Sequence, residues 1–91
     1  MNLHHLKIFL AVAETGSFSK ASERLHISQP AVSVQVKKLE EELGIPLVEQ
    51  LGKTIYLTEA GLFLRDQARD LFRHAEAVSY THLTLPTKRI V

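Results

Sequence analysis

A mainly α-helical fold is what this sequence predicts: three short helices, a two-stranded hairpin, then one longer helix. Three observations carry the expectation. Apolar residues return at steps of three and four in several separate stretches, and Gly16 and Gly44 stand where two of those stretches stop. The two β-prone runs, "PLVEQ" and "TIYLT", flank "LGK", with a glycine where a hairpin turns.

The first helix is expected from Leu3 to Glu14, with Leu6, Phe9, Leu10 and Ala13 continuing the spacing and Gly16 as a left-handed C-cap. The apolar run Ile8 to Ala13 also invites comparison with a secretory signal. Lys7 and Glu14 close it on both sides, and its helical spacing is not something a signal requires, so no cleaved leader is expected. Ser17 or Ser19 caps a second helix through Leu25, turning Phe18, Ala21 and Leu25 inward. Ser28 caps a third helix that runs to Leu43, with Gly44 at C′ and Pro46 soon after. Pro30 is tolerated there because a first-turn amide has no intrahelical partner to lose. Two helices a few residues apart, the second opening on a polar cap, make a helix-turn-helix, and the hairpin after them makes it winged. Thr58 caps the fourth helix, with Glu59 favourably placed in its first turn. That helix should continue to about Ala77 and be about 30 Å long at roughly 1.5 Å per residue.

Composition bounds the rest. The chain has 91 residues, enough for one small domain with a modest core. It has no cysteine, which excludes a disulfide framework and a thiolate metal site and fits a cytoplasmic protein. A net charge of +1 is too small for nucleic-acid binding through bulk charge, so any such reading rests on where the charges sit. No segment approaches the roughly 18–20 apolar residues that span a membrane, and no membrane partner is expected.

On the third helix, Val32, Val36, Leu39 and Leu43 form one apolar stripe. At about 100° per residue, Pro30, Ser33, Val34, Lys37 and Lys38 fall on or near the opposite side. A solvated face would account for the lysines but not for an outward valine. Hydrogen-bonding groups and both lysines come ahead of Glu40, Glu41 and Glu42 along the helix. Acids near a C-terminus oppose the helix dipole, so helix stability does not explain this order. Docking into a DNA major groove does. Gln29 then reaches an adenine edge, Ser33 a base or phosphate, and Lys37 and Lys38 the phosphates, while Val34 and the Pro30 ring meet thymine methyls.

The stretch "FLAVAETGSFSKASERLHISQPAVSVQVKKLEEELGIPL", followed by "LTEAG", strongly resembles the DNA-binding domain of LysR-type transcriptional regulators. The resemblance covers about residues 1 to 77 and implies a winged helix-turn-helix domain over 1–57 and the start of a linker helix over 58–77. It also implies that the linker helix pairs with a second subunit in a homodimer, that the full-length protein is a tetramer, and that a larger domain of two α/β lobes binds a small-molecule effector. By position, the family's base-contacting region falls on Gln29, Pro30, Ser33 and Val34, and its wing contacts fall near Gln50 and Lys53. With Ser28, Lys37 and Lys38, these make the expected DNA-binding set. Two departures stand out. Arginine is common in relatives where Val34 stands, and "LVEQ" replaces the usual "LFER" of the wing, so Gln50 takes the place of a cation and Val48 of an aromatic. Each phosphate left without a cation in this way flattens the salt dependence of binding by roughly 0.9 in log–log slope.

The last residues, "VSYTHLTLPTKRIV", abandon the helical pattern at Ser79. Codons for VSYTHLTLPT resemble the reverse complement of a common transposase sequencing adaptor, so 78–91 are expected to be a non-native, adaptor-encoded tail on a truncated gene product. Without Lys88 and Arg89, nine basic residues face ten acidic ones, a net of −1.

No enzyme site emerges. His4, His5, His26, His74 and His82 form no i, i+4 pair with a carboxylate partner, so no metal is expected. No phosphate loop, nucleophile elbow or paired-carboxylate motif is present, and no cofactor is expected. On the fourth helix, Leu64, Ala68, Leu71 and Ala75 step by four, three and four. The stripe of Leu64, Ala68, Leu71 and Ala75 is expected to serve dimerisation: the first turns of the helix should dock on the first helix, and the later apolar positions should face a partner helix in a two-fold dimer. The leading expectation is a sequence-specific, cytoplasmic regulator acting on double-stranded DNA. The competing one is a winged-helix module that binds protein, for which the face around Gln29, Ser33, Val34 and Lys37 would be dispensable.

Overall fold

Local capping settles where the first three helices begin and end. The computed structural model describes the backbone of residues 2–84 and the side chains of 2–74. Helix α1 (Leu3–Thr15) opens on Asn2, whose side chain accepts the His4 amide at 2.7 Å, and closes on Gly16 at φ 70°. Helix α2 (Phe18–Leu25) is capped by Ser17 rather than Ser19, the hydroxyl accepting Lys20 N–H at 3.1 Å. Helix α3 (Gln29–Leu43) starts at Ser28, which accepts Ala31 N–H at 3.2 Å, and stops at Gly44 at φ 73°. Between α2 and α3 the chain turns through His26 in the left-handed region, φ 58°, the position glycine usually fills.

Strands β1 (Val48–Leu51) and β2 (Thr54–Leu57) pair antiparallel, Val48 opposite Leu57 and Leu51 opposite Thr54. Gly52 and Lys53 make the turn. Of the two, Gly52 alone carries a positive φ, 64°, the pattern of a type II′ hairpin, whose twist matches that of the strands. Side chains alternate across this ribbon, so Val48 and Gln50 share a face with Ile55 and Leu57, while Glu49 and Leu51 share the other with Tyr56.

The core lies on two sides of α1. On one side Ile8, Ala11 and Val12 pack with Ala21 of α2 and with Val32 and Val36 of α3. On the other Leu6 and Phe9 pack with Leu39, Leu47 and Ala68. Three helices, a two-stranded wing and a fourth helix α4 (Glu59–Thr84) are therefore the architecture, as expected from the sequence.

Two expectations need correction. Leu43, read as the last member of the α3 stripe, is 38% exposed, because the core ends at Leu39 and the chain leaves α3 immediately after Leu43 for Gly44. Helix α4 does not end near Ala77 but runs to Thr84, so the helix is not abandoned at Ser79. No glycine or proline falls between Val78 and Thr84, and the first breaker is Pro86. Threonine and serine lower helix propensity only by a fraction of about 0.7 kcal/mol each, too little to stop a helix already propagating. The remainder of the expected tail, 85–91, lies outside the described residues, as does the side chain of Ala75.

The start of α4 is locked to the foot of the wing. Thr58 accepts Gly61 N–H at 3.0 Å as the helix cap, donates its hydroxyl to Pro46 O at 2.7 Å, and donates its own N–H to Leu47 O at 3.0 Å. Gly61 is buried against that same carbonyl, and a Cβ added there would overlap the Leu47 oxygen. Gly61→Ala is expected to cost about 3 kcal/mol in overlap, the top of the overpacking range because the obstacle is backbone. Alanine regains only about 1 kcal/mol of helix propensity. The net, about 2 kcal/mol, corresponds to a fall in Tm of roughly 8–16 °C, measurable by thermal circular dichroism.

Candidate nucleic-acid interface

Burying Val32, Val36 and Leu39 fixes the rotation of α3 and so decides what its other side presents. Ser28, Gln29, Pro30, Ser33, Val34, Lys37 and Lys38 are all exposed. Pro30, Val34 and Lys37 lie at the centre of the outward face, each about one turn along the surface from the next. Gln29 and Ser33 lie between that face and the buried stripe, and are exposed as well. Val34, 49% exposed in a helix whose other valines are buried, is the residue out of place on an isolated domain. Pro30 falls in the first turn, where it costs no hydrogen bond.

The wing sets a second exposed element beside α3. Gln50 and Lys53 are both exposed, Lys53 at the turn and Gln50 one strand position before Leu51. The Gln50 side-chain amide donates to Gly52 O at 3.4 Å, folding it towards the tip. Leu51 and Tyr56 are exposed on the ribbon's other face.

Of the expected partner-facing positions on α4, the structure brings Ala68 into the chain's own core, 1% exposed, and packs Leu64 against the same cluster. Leu71 is 44% exposed, and Phe63, which the four–three–four spacing passed over, is 67% exposed. Exposed pairs tie α4 to the helix-turn-helix: Glu14 of α1 meets Arg24 of α2 at 2.9 Å and Arg69 of α4 at 3.4 Å. Surface pairs of this kind contribute about 0–1 kcal/mol each.

Sequence reasoning missed one residue of evident structural consequence. Glu40 reads as the first of three trailing acids, yet it is half-buried, and one carboxylate oxygen accepts Leu47 N–H at 2.7 Å and Val48 N–H at 3.1 Å. No local pattern signals this, since the partners lie beyond the helix and its cap. Among the described residues no group of three His, Cys, Asp or Glu could hold a metal ion, and no helix is long and apolar enough to cross a membrane.

A helix-turn-helix with an exposed second helix, a wing beside it and a longer helix behind defines the winged helix-turn-helix class. Residues 3–62 match the model of bacterial regulatory helix-turn-helix proteins, lysR family, and the chain belongs to that family. It is 49% identical over 69 residues to the HTH-type transcriptional activator CmpR of Synechocystis sp., a match covering 76% of this chain and 23% of CmpR. It superposes on the BenM DBD in complex with catB site 1 DNA with a TM-score of 0.90 at 36% identity, covering 98% of this chain and 100% of the other. The CbnR DBD in complex with DNA gives a TM-score of 0.86 at 36% identity, covering 96% and 100%. The chain thus spans about a quarter of the length of the curated relatives it matches, 23% to 24% in the first three. It is a LysR-type DNA-binding transcriptional regulator domain, of a family of regulators rather than enzymes.

Proposed function

We propose that this domain reads DNA sequence with the outward face of α3 in the major groove and holds the flanking phosphates with its wing. The observation that carries the reading is Val34, half exposed at the centre of a face whose neighbours are Pro30, Lys37 and Lys38. Against water that valine contributes nothing; against thymine methyls it removes apolar area on both sides. Gln29 supplies the paired donor and acceptor that match an adenine edge, and Ser28 and Ser33 supply hydroxyls within reach of the backbone. Lys37, Lys38 and Lys53 place positive charge where a chain of near-neutral net charge needs it, with Gln50 as an uncharged hydrogen-bonding partner in the wing. The likeness to BenM and CbnR domains held in DNA complexes supports the same placement.

The division into a winged domain over 1–57, a linker helix from 58 and an adaptor-encoded tail from 78 belongs to this reading. So does a homodimer through α4, whose exposed Phe63 and Leu71 have no role in the chain's own core. A two-fold dimer would present its two copies of α3 to half-sites about one or more turns of duplex apart, each about 34 Å. Regulation by a small-molecule effector is assigned to sequence that the longer relatives carry beyond the matched quarter.

Gln29→Ala is expected to lower discrimination between a selected duplex and a one-base variant by about 1–3 kcal/mol, leaving binding to random DNA nearly unchanged. Lys37→Glu should weaken binding to every duplex and flatten the salt slope, by roughly 0.9 or more. Titrations of labelled duplexes at several salt concentrations measure both, and unchanged binding in both variants would favour the protein-binding alternative. Leu71→Ala should weaken self-association roughly tenfold, as removal of an apolar contact worth about 1.5 kcal/mol does, read by sedimentation across a concentration series. Sequencing the source DNA across the codons for Val78 to Val91 should return adaptor; uninterrupted chromosomal sequence would make the tail native.

A further inference from the structure

We propose that Glu40 is a positioning residue for DNA binding: by gripping the first amides of the wing, its carboxylate sets where the wing stands relative to α3. This rests on the DNA-binding reading and goes one step further, naming what holds the two DNA-facing elements in register. Glu40 belongs to the same helix as Gln29, Ser33 and Val34, but it lies on the inward flank, half-buried. Its single oxygen Oε2 takes both Leu47 N–H, at 2.7 Å, and Val48 N–H, at 3.1 Å. Bonds from amides to an ionised carboxylate are shorter and stronger than neutral ones, and two donors converging on one oxygen fix direction as well as distance.

Leu47 is held from its other side too. Its carbonyl accepts Thr58 N–H at 3.0 Å, its side chain is 1% exposed, and Gly61 presses on its carbonyl oxygen. The foot of the wing is thus clamped between α3 and the start of α4. The wing needs that clamp. Two strands of four residues have little stability of their own, so their orientation rests on the foot together with Val48, Ile55 and Leu57, which pack on the core. The geometry acts as a lever: a four-residue strand spans about 13 Å, so a tilt of roughly 20° at the foot displaces the tip by about 4–5 Å. That exceeds the tolerance of a hydrogen bond to phosphate, and Lys53 sits at the tip.

The test uses the 91-residue chain and a duplex enriched from a random-sequence pool by the unaltered protein. Glu40→Ala and Glu40→Gln are compared with it for salt slope, backbone footprint, base preference and exchange of the Leu47 and Val48 amides. Glu40→Ala is expected to speed exchange of both amides, remove protection on the flanks that the wing covers, and flatten the slope by roughly 0.9 per phosphate released. Its base preference under α3 should persist. Glu40→Gln, which keeps an acceptor oxygen without the charge, should fall between the two in amide exchange, footprint and salt slope, with base preference again unchanged. A folded Glu40→Ala of lowered thermal stability but unchanged slope and footprint would make the residue merely structural and overturn the proposal. If Glu40→Ala fails to fold, a Glu40→Gln indistinguishable from the unaltered chain overturns it instead. Should the unaltered chain enrich no duplex at all, the DNA-binding reading falls and this one falls with it.

Discussion

Helix α1 is buried on two sides, and the placement of every other element follows from that constraint. Phe9 and Val12, both 0% exposed, sit on faces of α1 that look towards different neighbours. Val12 and Ile8 meet α2 and the first half of α3; Phe9 and Leu6 meet Leu39, Leu47 and Ala68, and so the later part of α3, the approach to the wing and α4. Fully burying each such side chain contributes about 1.5–3 kcal/mol, a large share of what a domain this small can have. One helix therefore sets the rotation of α3, and through it the face left outward, while also setting the course along which α4 leaves the domain.

What could be read from the sequence was what local chemistry decides. Ser28, Gly16, Gly44 and Thr58 mark helix ends because a cap is satisfied within a few residues of itself, and the stripe Val32, Val36, Leu39 gives the buried side of α3 directly. The outward position of Val34 followed from the same periodicity. Three features escaped, each for a tertiary reason. Leu43 continues the spacing but outlasts the core it would pack on. Ala68 looks like part of a partner-facing stripe until α1 is seen to cover it. Glu40 looks like a solvated acid, since nothing in its neighbourhood predicts that amides seven and eight residues on will fold back to it. His26 was also silent: it stands at φ 58° in the turn, a left-handed position that glycine usually fills and that histidine adopts more readily than most residues.

The charge distribution follows the same division of labour. With nine basic and ten acidic residues over 1–77, this part of the chain has no bulk attraction for a polyanion. Positive charge instead sits at Lys37 and Lys38 on α3 and at Lys53 on the wing, while Glu14 is engaged behind them with Arg24 and Arg69. Binding of such a surface depends on geometry more than on total charge, because few contacts must all be made together.

The pairing of the wing carries a consequence for how this domain can vary in length. Val48 faces Leu57 and Gln50 faces Ile55, so parity along each strand decides which side of the ribbon a residue occupies. Adding one residue to each strand would carry the tip to the opposite side, turning Lys53 away from where it now points. Adding two would restore it. Lengthening therefore preserves the orientation of this hairpin only when each strand gains an even number of residues, and a longer wing reaching further along a duplex should be sought among chains in which each strand differs from these by a multiple of two.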